Sequence, residues 1–140
     1  MARTGHILIG FLWAWLLWEH WVETRYPIPE TRDERGVIKG LRNVTDSWQI
    51  GNAVETRDQC IQALHKRPEG IQSAAASMEQ NLDPRERAKF QLSKGRSEIS
   101  IELTMTQDIG IRTPRPEKSL ATVKLWCLPA GVDPKTAGGR

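Results

Sequence analysis

Ile7-Leu-Ile-Gly-Phe-Leu-Trp-Ala-Trp-Leu-Leu-Trp18, continued by Glu19-His-Trp-Val-Glu-Thr-Arg-Tyr26, is the stretch on which the fold turns. Its first twelve residues carry no charge, and only Arg3 and the α-amino group give it a basic leading end. A clean run of that length suits a signal-peptide core better than a full span. Two features move the reading toward an uncleaved signal-anchor. From Gly5 to Val22 the chain approaches spanning length, broken only by Glu19 and His20. No small-x-small cleavage site follows, and no cysteine stands close behind the run to take a lipid. Residues 1–23 are therefore expected to form one transmembrane helix. A cleaved signal and a buried soluble helix are the competing readings.

The flanks set an orientation. Arg3 lies on the short leading side, while Glu19, Glu23, Glu30, Asp33 and Glu34 outnumber Arg25 and Arg32 beyond the run. The positive-inside rule then puts the N-terminus in the cytoplasm and the rest of the chain outside, in the periplasm or its equivalent. Trp18, Trp21 and Tyr26 would occupy the outer headgroup interface, where amphipathic rings are favoured. Trp13 and Trp15 would lie deeper, against lipid or a neighbouring helix. His20 has two readings: a pigment or haem ligand, or a side chain that simply reaches headgroup water. The second is the commoner fate of a polar residue at a helix end.

Beyond the anchor, residues 24–45 read as an extended stalk, because Pro27 and Pro29 push their predecessors away from helix. Asn43-Val-Thr45 matches the N-glycosylation pattern, a triplet common by chance. Residues 46–134 are the expected folded unit, and residues 135–140 a frayed tail. Four of the six tryptophans fall in the anchor, and the whole chain has only two Phe and one Tyr. A core so thin calls for a covalent staple. The net charge of +3 is spread among acids. Around Arg85, Arg87, Lys89, Lys94 and Arg96, for example, Asp83, Glu86 and Glu98 interleave. The clustered basic face of a nucleic-acid binder is missing, so nucleic acid is not expected as a partner.

Within the folded unit, Ser47-Trp-Gln-Ile50 is a short strand candidate. Thr56-Arg-Asp-Gln59 reads as a capping box opening a helix that should stop near Lys66, before Pro68 and Gly70. Asp83-Pro84 and Glu86 suggest a second helix start, against a rival reading in which Phe90 and Leu92 belong to a strand. Ile99, Ile101, Leu103 and Met105 alternate with polar residues, as do Ala121, Val123, Leu125 and Cys127. The fold class is thus α+β: one N-terminal transmembrane helix plus a small antiparallel sheet, packed by one or two helices. The sheet should have about three strands by alternation. Cys60 falls on the apolar face of the first helix and Cys127 on the inward face of the last strand. If that helix crosses the sheet, a disulfide is reasonable; two unpaired core thiols are the alternative. Two cysteines without paired histidines lack zinc-ligand spacing, and no metal or other cofactor is expected.

Trp48, Cys60 in a Cys-x-x-Ala-Leu helix, Cys127-Leu-Pro and Asp133-Pro134 together resemble a recurrent type of small exported bacterial protein with one cysteine pair. The likeness covers about residues 48–66 and 121–134. It implies a disulfide and a cell-envelope setting, and no activity. No clustered His/Asp/Glu/Cys set and no phosphate-binding glycine loop is visible, so an enzyme is not expected. The expected role is an accessory subunit of a larger membrane complex, respiratory, photosynthetic or transport. Its partners would be the lipid bilayer and other membrane-protein subunits. A free-standing envelope protein binding a soluble partner is the alternative.

Overall fold

Pairing on both sides decides what the Trp-rich segment becomes. In the computed structural model, which describes residues 14–79, 82–86, 89–94 and 99–137, the segment from Trp15 is strand β1, Trp15–Pro27. Trp15, Leu17, Glu19 and Trp21 point to one face and Leu16, Trp18, His20 and Val22 to the other, the two-residue period of a strand. Tryptophan, valine, threonine and tyrosine also suit pleated, half-buried surfaces. The expected transmembrane helix over residues 1–23 is thus corrected. Among the described residues no helix is long and apolar enough to cross a membrane. Trp13, assigned to the same helix, lies outside the described residues.

Four further strands complete an antiparallel sheet: β2 (Arg42–Val54), β3 (Lys89–Lys94), β4 (Ser100–Ile109) and β5 (Glu117–Pro129). Their order is β2-β1-β5-β4-β3, so among the described residues five strands replace the expected number of about three. Strand β1 is internal, paired with β2 on one side and along its whole length with β5 on the other. Both sets of its backbone groups are therefore satisfied, which a lone apolar segment achieves only by coiling into a helix. Residues 24–45, expected as a stalk, are divided between the end of β1, the connection 28–41 and the start of β2. That connection is itself pinned by a bridge between Arg32 and Ile38.

Helix α1 spans Arg57–Glu79 and opens with the expected capping box. Gln59 N donates to Thr56 Oγ1 at 3.2 Å, and Gln59 Oε1 accepts from Thr56 N at 3.2 Å. The helix does not stop at Lys66. It continues through Pro68, which costs one backbone hydrogen bond. Pro68 is buried, and with Cys60, Leu64 and Ile71 it lies along the stripe facing the sheet. Packing of that stripe outweighs the proline. The second expected helix shrinks to one turn of 3-10 helix, Pro84–Glu86, and the segment after it is strand β3. A four-residue helix α2, Pro134–Ala137, follows β5.

The core lies between α1 and one face of the sheet: Leu17, Cys60, Leu64, Ile71, Ile101, Leu103, Val123, Leu125 and Cys127. Cys60 and Cys127 form the disulfide, with Cα atoms 6.0 Å apart and both residues fully buried. It ties the first turn of α1 to the end of β5, across the thickness of the domain.

Candidate functional site

Each face of β1 presents a distinct cluster. On the face toward α1, Glu19 has no exposed surface. Its Oε2 accepts from Arg67 Nε at 2.6 Å. Its Oε1 accepts from Gln49 Nε2 at 2.8 Å, Trp21 Nε1 at 3.0 Å and Arg67 Nη2 at 3.2 Å. Strand, edge strand and helix thus converge on one carboxylate. Space for it comes from a bulge in β2: Leu17 faces Asn52 while Trp18 faces Ile50, leaving Gly51 as the extra residue. A Cβ on Gly51 would run into the Glu19 carboxylate. Burial pushes the Glu19 carboxyl up, but the hydrogen bonds from Arg67, Gln49 and Trp21, with the Arg67 charge, outweigh it. The net shift is below the usual value of 4.5.

A second pair follows along the same face. Glu23 Oε2 accepts from Arg25 Nε at 2.8 Å and from Ser119 Oγ at 2.8 Å. Its carboxyl is raised by burial and lowered further by these bonds and by the Arg25 and Arg42 charges, for a net lowering. Both carboxylates are held as anions by partners on their own domain. Their arrangement is structural.

The opposite face of the sheet carries aromatic rings side by side. His20 and Trp48 stack with ring centroids 3.9 Å apart and planes 16° apart. Trp48 meets Trp126 edge-on at 5.4 Å, and Lys124 Nζ stands 5.2 Å from the Trp126 ring centroid. His20 Nε2 lies 2.7 Å from Asp46 Oδ1. Trp18 pairs across the strands with Trp126. The indole N–H groups of both are buried and have no hydrogen-bond partner among the described residues. Exposed apolar side chains occur on edge strand β2 and on the connection before it. Val37, Leu41, Val44 and Ile50 are all exposed, Ile50 by 51%, and all belong to the β1–β2 connection or to β2.

The residues expected at a membrane interface are therefore separated. Trp15 and Trp21 pack against the core under α1, Trp18 stands on the outer face, and Tyr26 is buried near the end of β1. His20 meets Asp46 and Trp48 instead of lying at the end of a membrane helix. The disulfide is formed as the helix and strand faces suggested. No group of three His, Cys, Asp or Glu able to hold a metal ion occurs among the described residues. The Glu19–Arg67 pair was missed from the sequence. Its signal was the spacing of Glu19, Glu23 and Arg25, which share strand parity with Leu17. No protein-family model, curated protein or solved structure matches this chain.

Proposed function

We propose that the protein is a non-catalytic, extracytoplasmic accessory component that binds a larger protein assembly through the outer side of β1 and β2. A buried disulfide joining helix to strand supports an oxidising compartment, since such bonds persist in secreted and periplasmic proteins. The observation that carries the binding role is the exposure of Val37, Leu41, Val44 and Ile50 along edge strand β2 and the connection before it, with the stacked His20 and Trp48 rings between the levels of Val44 and Ile50. Large apolar side chains left exposed on an edge strand next to rigid aromatic rings suit a contact surface. Edge strand β2 offers its free backbone groups along the same side.

The test is native electrophoresis with mass spectrometry on gentle extracts of cells making the tagged chain. Co-migration with a defined large assembly is expected, and it should be lost in Val44→Glu/Ile50→Glu while the melting temperature stays unchanged. A wild-type chain that migrates as a monomer contradicts the proposal and leaves the free-standing envelope protein in its place.

A further inference from the structure

An open groove of about 440 Å³ runs between α1 and the bulge of β2. Its helix side is formed by Gln59, Gln62, Ala63, Lys66, Arg67 and Gly70, a stripe at helical spacing. Leu17, Gly51 and Asn52 form the strand side. The volume falls in the range of small-molecule sites.

The chemistry of the lining is one-sided. The Lys66 and Gln62 side chains make no hydrogen bond or ion pair among the described residues. Arg67 spends Nε and Nη2 on Glu19, while Nη1 has no partner among the described residues. Gln59 uses its Oε1 in the capping box, and Asn52 uses its Oδ1 on Ala53 N, which leaves both amide NH₂ groups as donors. No Asp or Glu lines the groove. Glu19, buried behind Arg67, fixes the guanidinium without offering an acceptor to a ligand. Gly70 adds an independent sign. It lies inside the helix with ordinary φ, and a Cβ there would meet only Arg67 Nη1, at 3.7 Å. Neither backbone nor packing requires glycine, and its small size leaves the outer edge of the guanidinium open.

From these donors we infer that the groove binds a small anion, a carboxylate- or phosphate-bearing molecule, with Lys66 supplying the charge and Arg67 Nη1 and the amides orienting its oxygens. Guanidinium and ammonium groups favour both anions, and a pre-fixed arginine loses little freedom on binding.

Inorganic phosphate and citrate, titrated separately into the oxidised full chain at constant ionic strength and followed by ¹⁵N–¹H NMR, test this. Saturable shifts at Gln59, Gln62, Lys66, Arg67 and Gly70 are expected with at least one of the two anions. Response to phosphate alone assigns a phosphoester, to citrate alone a carboxylate, and to both the shared chemistry. Binding should weaken about tenfold in Lys66→Ala/Gln62→Ala, the loss of a charge-assisted contact. Gly70→Leu should close the groove and abolish the shifts, with the fold retained as judged by dispersed spectra. Linear, unsaturable shifts with both anions, or saturation unchanged in both variants, overturn the inference.

Discussion

A carboxylate with no exposed surface keeps its charge only where donors surround it, because the desolvation penalty amounts to several kcal/mol. At the residue scale, Glu19 meets this demand with four hydrogen bonds drawn from β1, β2 and α1. Arg67 is the partner whose loss should hurt most. Arg67→Met is expected to cost about 3 kcal/mol in urea unfolding, since it strands a buried anion. Glu19→Gln/Arg67→Met should recover part of that cost. The pair also sets a pH dependence. Because folding lowers the Glu19 carboxyl below 4.5, its contribution is complete above that value and is lost as pH falls through the folded-state value. Glu23 acts in the same direction. Stability measured from pH 6 to pH 2 should therefore decline on the acid side (roughly below the ordinary carboxylate range), and Glu19→Gln should flatten that decline.

At the scale of elements, the disulfide is the strongest single tie. It closes a loop of 67 positions between the first turn of α1 and the end of β5. Replacing the pair, as in Cys60→Ala/Cys127→Ala, should cost about 4 kcal/mol by the chain-entropy model, read as a fall in the urea midpoint. The tie was legible beforehand because each cysteine lies on the apolar face of an element with clear local signals. Thr56 and Gln59 marked the start of α1, and strict alternation marked β4 and β5. Elements whose identity depends on distant partners were harder. Strand β1 is packed between neighbours, and its first residues, 15–18, close an unbroken apolar run (residues 7–18 of the sequence) that periodicity cannot assign to helix or strand. Pro68 signalled a stop that the buried stripe of Leu64, Pro68 and Ile71 overrides. The good start signal at Asp83 yields a single turn. Asp83 Oδ1 accepts from Arg85 N at 3.0 Å, and Oδ2 pairs with Arg112 at 2.9 Å. This anchors the chain where it turns into edge strand β3. The aromatic row was hidden for the same reason as β1, since His20, Trp48 and Trp126 meet only through strand pairing.

At the scale of the whole molecule, the sheet is closed in sequence by its ends. Among the described residues the first strand, β1, pairs throughout with the last, β5, and both are internal to the order. One face is covered by α1, and the other offers aromatic and apolar groups on the side of β2. The Trp-rich segment is thus a structural centre of the domain, and its two faces separate roles: Leu17 and Glu19 secure the helix, while Trp18 and His20 contribute to the outer surface. The proposed partner contact depends on that central strand being in place. Its most direct test is amide hydrogen exchange on the oxidised chain in aqueous buffer without detergent. The amides of residues 17–25 are expected to exchange as slowly as those of residues 119–127 in β5, with which they pair. Fast exchange through residues 17–25, while β4 and β5 stay protected, would contradict the account.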